Sequence, residues 1–491
     1  MGINLKELVI GLPVELYRGG KNVSINGLCS NSKLVAPGNL FIAKKGMTHD
    51  GAQYIDEAIA SGAIAILTDT PNPFLKEITQ IITNQVGLIE SEFAARYYGD
   101  PSKSLFMVGV TGTNGKTTTS YLVKYIFDAL RLFCGIIGTI EYIIRDQHFT
   151  AQLTSPDIIT NQKLLREMIR QKCTAAVMEV SSFGLEQGRV EKIDYDVAIF
   201  TNLSHDHLDY HKTMEAYADA KAKLFQKLKP KGIAVLNLDS PWSEKMRDAT
   251  SADILTYGFN PKADLYAHSF KGMPDETHFS ISFKDQTLSF VSKLIGRFNV
   301  YNCLAAIGAA LCKGIAFQSL PEIIMNFPRV RGRLERVEHL NDFHIYVDYA
   351  HTPDAMEKVL LALSDLKERN ILTLFGCGGN RDHLKRPQMA QVVEKYSDFA
   401  VITSDNPRNE DPLTICREIA CGFTRSKDHF SIEVDRRLAI EQIIKMAKPK
   451  DLILIAGKGH ETYQTFSYQT FPFDDRQVAQ EIANRVKRSA Q

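Results

Sequence analysis

The chain has 491 residues, too many for one core, and at about 150 residues per domain it should fold as about three. A composition of 44% hydrophobic and 23% charged residues is that of an ordinary soluble globular protein. With 58 Lys+Arg against 57 Asp+Glu there is no basic excess of the kind a nucleic-acid binder carries.

Residues 1–100 alternate short strand-like runs (LFIA, AIAIL) with a helical stretch, AQYIDEAIASGA. The opening MGINLKELVIGLPVELYRGG has charges where a signal peptide needs unbroken apolar sequence, and Lys6 breaks the myristoylation pattern. The join YYGDPSKS, 97–104, is turn chemistry and marks a boundary. From 105 the pattern becomes strand (LFMVGV), glycine loop (TGTNGK) and helix (TTTSYLVKYIFDALR). AAVMEV, DVAIFTNL and GIAVLNL follow and read as parallel strands buried on both faces. A second break falls at PRVRGRLER, 328–336. Beyond it ILTLFGCGG, FAVITSDNPR and DLILIAGKGHE each run from an apolar strand straight into a polar loop. Open parallel sheets bind ligands beyond the carboxyl ends of their strands, so these three loops should build one site. The domains expected are 1–100, 101–332 and 333–491, all α/β. No apolar run approaches the ~18 residues of a membrane span. The eight cysteines form no CxxC pair and read as reduced thiols. A cytoplasmic protein without membrane insertion is expected.

The strongest local signal is VGVTGTNGKTTT, 108–119. Backbone amides of such a loop, Gly112, Thr113, Asn114 and Gly115, and of the helix start point at anionic phosphate. Lys116 can reach the terminal phosphates, and the Thr117 hydroxyl can hold Mg²⁺, with Thr118 beside it. Val110 stands where the general pattern wants its first glycine, and Gly109 is one residue out of register. Farther on, LSHDHLDYH crowds His205, Asp206, His207, Asp209 and His211 into seven positions. Spacing alone leaves zinc, a polar helix face and other roles open.

GTNGKTT is the form this loop takes in the Mur ligase superfamily, ATP-dependent amide-forming enzymes that include folylpolyglutamate synthetase. The chain resembles a MurE-type member over essentially its full length, with motifs in family order in all three segments. The resemblance implies an N-terminal UDP-binding domain, a central ATPase domain with a P-loop-type parallel sheet and a Rossmann-like C-terminal domain. It implies phosphoryl transfer from ATP to a substrate carboxylate, giving an acyl phosphate that an amine attacks. In MEVSSFGLEQGR and TNLSHDHLDYH it makes Glu179 and His207 Mg²⁺ ligands, and in YADAKAKLF it makes Lys221 the lysine that CO₂ converts to a carbamate. Together with Lys116 these are the expected catalytic residues. His205 and His211 are then loop structure, and a closed zinc site is not expected. Asn302 in GRFNVYNCLAA, Arg333 in RVRGRLE, and Asp348 and His351 in VDYAHTPDA fall on the ATP side. Ser32, Thr154, Ser155, Ser181, Gln187 and Arg189 match contacts to the UDP-muramoyl-dipeptide. The usual Asp-Ser-Arg near the uridine site reads Asn31-Ser32-Lys33 here, which keeps a charge but loses the guanidinium fork.

The C-terminal loops should choose the amine: Arg381, then Asp405, Asn406, Pro407 and Arg408 (DNPR), then Gly457 and Glu461. DNPR resembles the signature of enzymes that add meso-diaminopimelate. Arg381 and Arg408 could clamp its distal carboxylate while Asp405 and Glu461 hold its distal ammonium. Lysine would leave Arg408 unpaired. A lysine-adding type, a folylpolyglutamate synthetase-like ligase, a P-loop switch NTPase and a nucleotide-sensing module are the alternatives. The enzyme is expected to act as a monomer on small-molecule substrates.

Overall fold

The computed structural model of the chain describes residues 2–46, 49–424, 427–467 and 469–489; Met47 and Thr48 of the expected uridine segment lie outside them. The N-terminal part builds a five-stranded sheet. Its order runs from Glu15–Tyr17 through Thr79–Ile82, Ala65–Thr68 and Asn39–Ile42 to Gly27–Cys29, parallel except at the Glu15–Tyr17 edge. The helical stretch read at AQYIDEAIASGA is shorter than its pattern: a 3₁₀ turn Gly51–Tyr54, capped by the Asp50 carboxylate, precedes the helix Ile55–Ala60. Of the stretch read as turn chemistry at YYGDPSKS, Tyr97 and Tyr98 still belong to the helix Val86–Tyr98, which Gly99 ends at φ 77°. Ile158 and Ile159, from the central part, pack into the N-terminal core and dock the two together.

The central part carries an eleven-stranded sheet. Its site-bearing strands are β1 (Phe106–Thr111), β2 (Ala175–Glu179) and β3 (Tyr195–Phe200), parallel with β1 in the middle. β2 is buried at every position, as a strand covered on both faces must be. Helix α1 (Lys116–Ala129) follows β1, and α2 (Met214–Ala222) is capped by Thr213, whose hydroxyl accepts Ala216 N–H at 3.1 Å. Helix α3 (Arg297–Cys312) is alanine-rich and packs its small residues against α1 and the sheet.

The C-terminal part has a six-stranded sheet that includes β4 (His344–Asp348), β5 (Ile371–Phe375), β6 (Phe399–Ile402) and β7 (Leu452–Ala456). β4, β7, β5 and β6 lie side by side in that order, all parallel, so the three polar loops read from the sequence emerge from adjacent strands. Helix α4 (Pro353–Ser364) starts on proline with Thr352 as its cap. Among the described residues no helix is long and apolar enough to cross a membrane.

Candidate active site

From the end of β1 the chain turns through Gly112–Gly115 into α1. Both glycines are required: a Cβ on Gly112 (φ 146°) would stand 1.9 Å from Thr201 Oγ1, and one on Gly115 (φ 88°) 2.4 Å from Asn302 Oδ1. The loop is pinned from β3, with Thr113 N–H on Asn202 O (2.9 Å), Asn114 N–H on Asn202 Oδ1 (3.0 Å) and Thr201 Oγ1 on Asn114 O (2.6 Å). Gly109 has a separate job inside β1, where a Cβ would meet Leu224 and Tyr195 at 2.9 Å. Lys116 is part-buried at the cleft wall; its Nζ donates to the carbonyls of Gly112 and Thr113 at 2.9 Å each, and burial lowers its pKa.

Glu179, the last residue of β2, has no exposed surface. Its carboxylate accepts Thr139 N–H and Oγ1–H at 2.9 Å each and Thr117 Oγ1–H at 3.0 Å, while Arg333 donates to Thr117 Oγ1 at 3.1 Å. A carboxylate and a hydroxyl side by side are hard oxygen donors of the kind magnesium takes. Among the described residues no group of three His, Cys, Asp or Glu side chains is placed to hold a metal, so a cation here would need further ligands from phosphate or water. Lys221, on α2, is buried; its Nζ also donates to Gly112 O at 2.9 Å and lies 4.4 Å from the Tyr217 ring centroid. Burial, then the Lys116 charge, lowers its pKa well below the ordinary value against the pull of Asp206.

The three histidines separate. His207 takes a left-handed backbone (φ 55°), stands edge-on to Phe183 with centroids 5.0 Å apart, and places Nε2 3.4 Å from Asp206. Burial pushes its pKa down to about 4, so its imidazole is neutral at neutral pH. Burial opposes ionisation of Asp206, yet His207, His351, Lys116 and Lys385 together hold its carboxyl below the ordinary value. His211 is buried against Ser182 Oγ (2.9 Å) and stacks on Tyr217, a structural position. His205 is exposed at the rim.

Next to Glu179, Thr154 meets Thr139 (Oγ1–Oγ1 3.1 Å), and Ser155 Oγ–H donates to Glu179 O at 3.0 Å and lies 3.1 Å from Ser181 Oγ. Arg189 donates through Nε and Nη2 to Gln187 Oε1 (3.0 and 2.6 Å) and through Nη1 to Ser155 O (3.0 Å). Ser32 stands apart, buried in a 3₁₀ turn of the N-terminal domain, although Cys29 in the same region is close enough to Asp157 to feel its charge.

On the opposite wall, Asn302 Nδ2 donates to Asn299 Oδ1 (2.9 Å) beside Gly115. Asp348, ending β4, accepts Leu334 N–H (2.6 Å) and Ala350 N–H (2.7 Å), and burial pushes its pKa up to about 6. His351 Nδ1 lies 2.8 Å from the Tyr349 carbonyl and must carry the proton, which leaves Nε2 as an acceptor. In the DNPR loop, Arg408 (φ 52°) donates through Nη1 to Gly379 O (2.7 Å) and Asn406 O (3.4 Å). Pro407 props the facing loop, its carbonyl 1.9 Å from where a Gly379 Cβ would be. A Cβ on Gly457 would stand 2.6 Å from Asp405 Oδ2, and Arg381 is exposed.

One cleft of about 1100 Å³ joins these parts. Thr113 to Thr118, Thr154, Ser155, Glu179, Ser181, Arg189, His207, Asn302, Arg333, Asp348, His351, Arg381, Asp405, Asn406, Arg408, Gly457 and Glu461 all line it. Gly112, Lys221 and Pro407 stand behind the lining, and Ser32 and Gln187 lie off it. The sequence reading missed Thr139 and Lys385, which also line the cleft and carry no local motif, and it gave no role to Asp206 and Tyr301, which line it from within quoted motifs.

Three family models match in chain order: Mur ligase family, catalytic domain, over 24–94; Mur ligase middle domain over 110–310; and Mur ligase, glutamate ligase domain, over 332–459. A UDP-N-acetylmuramoyl-L-alanyl-D-glutamate–2,6-diaminopimelate ligase of Chlamydia caviae is 44% identical over 484 residues, covering 98% of this chain and 99% of that one. The protein of the same name from Syntrophomonas wolfei is 40% identical over 483 residues, with the same coverage. A solved structure of a ligase of that name superposes with a TM-score of 0.71 at 32% identity, covering 99% of this chain and all of the other (100%). A Mycobacterium tuberculosis folylpolyglutamate synthase shares the fold, with a TM-score of 0.63 at 16% identity over 80% of this chain and 93% of its own. The chain belongs to the Mur ligase family of ATP-dependent amide ligases.

Proposed function

We propose that the protein joins meso-diaminopimelate to the D-glutamyl carboxylate of UDP-N-acetylmuramoyl-L-alanyl-D-glutamate, at the expense of ATP, in peptidoglycan precursor synthesis. The observation that carries this is the single cleft, in which a phosphate loop and a pair of arginines with two carboxylates face one space. The loop amides and Lys116 hold the phosphates, and Asn302, Arg333, Asp348 and His351 hold the rest of the nucleotide. Ser155, Ser181 and Arg189 sit one step from Glu179, so a substrate carboxylate bound among them lies next to the transferred phosphoryl group. Ser32, in the N-terminal domain and off the cleft, is assigned to the uridine end.

Thr117, Glu179 and His207 would hold Mg²⁺, and Lys221, as a CO₂-derived carbamate, would add an anion; the ion neutralises charge on the phosphoryl oxygens. Lys221 suits that modification because carbamate formation needs a neutral amine, which its burial favours. Phosphoryl transfer leaves ADP and an acyl phosphate; an unprotonated amine delivered from the C-terminal loops attacks its carbonyl, the C–O bond to phosphate breaks, and inorganic phosphate and a proton leave as the amide forms.

The test is a panel of amines with ATP, Mg²⁺ and UDP-muramoyl-dipeptide, reading phosphate release and product mass. Phosphate release should require both the dipeptide and diaminopimelate. Release indifferent to both would leave a switch NTPase, and glutamate acceptance with a folate substrate would favour the folylpolyglutamate reading.

A further inference from the structure

The loops that face the amine rest on a cation that none of these roles uses. Lys458, between Gly457 and Glu461, is 0% exposed. Its Nζ donates to Glu461 Oε2 at 3.0 Å and to Asn406 Oδ1 at 3.2 Å. Asn406 Nδ2 donates to the same Glu461 oxygen at 2.8 Å, and Asn406 Oδ1 also accepts Thr465 N–H at 3.0 Å. The three side chains close a ring that ties the loop after β6 to the loop after β7.

Two consequences follow for a ligand. Both acceptor positions of the Asn406 carbonyl are used, so its amide can offer only its second N–H. Glu461 Oε2 has two donors, which leaves Oε1 as the oxygen facing an incoming ammonium. The strand ends beneath are held by something else. Arg436, also buried and paired with Asp475, donates to Ser404 O (3.2 Å) and Ala456 O (3.1 Å), the residues just before the two loops. The backbone therefore has its own support, and Lys458 adds side-chain geometry and charge. A buried ammonium is costly unless a carboxylate balances it, and here that carboxylate belongs to the amine subsite.

We propose that Lys458 is a positioning residue for amine selection. It aims Glu461 at the distal ammonium and offsets one of the two carboxylates, Asp405 and Glu461. With Arg381 and Arg408 lining the same cleft, the subsite then carries one net positive charge. It suits the zwitterionic far end of diaminopimelate and disfavours the unbalanced ammonium of lysine. This rests on the reading of these loops as the amine site.

The test is steady-state kinetics of Lys458→Met, Lys458→Arg, Glu461→Gln and the double variant Lys458→Met/Glu461→Gln, with each substrate varied in turn. In Lys458→Met the KM for diaminopimelate should rise about 10- to 100-fold, the loss of a charged hydrogen bond, with the KM for ATP unchanged. Selectivity against lysine should fall with it. Lys458→Arg, which keeps the charge, should recover part of both, and the double variant should be no worse than the poorer single one. An unchanged KM and selectivity, a parallel rise in all three KM values, or additive losses would each overturn the proposal. Should Lys458→Met fail to fold, Lys458→Gln carries the same expectations, and if neither folds Lys458 serves the fold and the assignment falls. Wild-type turnover without diaminopimelate would instead overturn the function proposed above.

Discussion

Replacing Arg408 by alanine separates the two amines that the site must tell apart. Arg408 spends Nη1 on the carbonyls of Gly379 and Asn406, so its Nε–Nη2 edge is the side open to a carboxylate. A net hydrogen bond to a charged group contributes about 1.5–3 kcal/mol, and Arg381, being exposed, replaces little of it. The loss expected for diaminopimelate is therefore about 2–3 kcal/mol, or roughly 30- to 150-fold in kcat/KM. Lysine has no distal carboxylate and gains from removal of an unpaired cation, so its kcat/KM should hold or rise. Loosening of the Gly379 loop would weaken both amines alike, which makes the ratio of the two the informative readout. Arg408→Lys should fall between, because it keeps the charge but not the fork. The assay is phosphate release at saturating ATP and UDP-muramoyl-dipeptide with each amine varied. Equal losses for both amines, or none for diaminopimelate, would refute the carboxylate clamp.

Lys221→Ala should lower turnover about 10²- to 10³-fold. Added bicarbonate should not restore it, and labelled bicarbonate should give a carbamate NMR signal in the wild type alone; normal turnover would remove Lys221 from the mechanism. Asp354 Oδ2, on α4, accepts Asn114 Nδ2 (2.7 Å), Ser204 Oγ (2.6 Å) and Lys358 Nζ (2.7 Å), which latches the C-terminal domain to the phosphate loop. Asp354→Ala should cost the closed arrangement about 1–3 kcal/mol, seen as faster hydrogen exchange at residues 113–117, and unchanged exchange would make the latch incidental. Burial raises the Asp348 pKa from 3.8 to about 6, so the folded state binds the extra proton in that window and its contribution is lost as pH rises through about 6. Asp348→Asn should therefore gain on the wild type by up to about 3 kcal/mol between pH 4 and pH 8, by calorimetry, and a pH-independent difference would refute this.

What the sequence made legible was local. The glycine loop, the strand-ending Glu179 and the polar loops after β5, β6 and β7 are contiguous signals, and parallel-sheet geometry forces such loops to one edge. What it hid was assembled across distance. Thr139 supplies two of the bonds on Glu179, yet it sits in a stretch with no pattern of its own. Asp354 looks like an ordinary first-turn aspartate until α4 is set against the phosphate loop. Gly109 read as a misplaced phosphate-loop glycine, whereas the packing of Leu224 and Tyr195 explains it. Lys458 sits inside a motif the sequence did display, but its burial and its two partners depend on how β6 and β7 pair with β5.

The stretch from Leu203 to Phe225 shows why charge and contact must be weighed together. Its histidines drew attention as ligands, but His211 is bound into the core and His205 faces out. Its lysine carries no local signal beyond a place among alanines. In the fold, Lys221 and Lys116 both donate to the carbonyl of Gly112 at 2.9 Å, so two amines share one oxygen, one buried and one at the cleft wall. Two ammonium groups so placed repel one another, and the cost falls more heavily on the buried one. The Lys116 amine is the one at the phosphate loop, where anionic phosphate would keep it charged. Lys221, which burial pushes well below the ordinary lysine range, is then the readier of the two to give up its proton, as the proposed carbamate requires. Conversion to a carbamate would turn the repulsion into an attraction and place an anion beside the cation that the phosphates need.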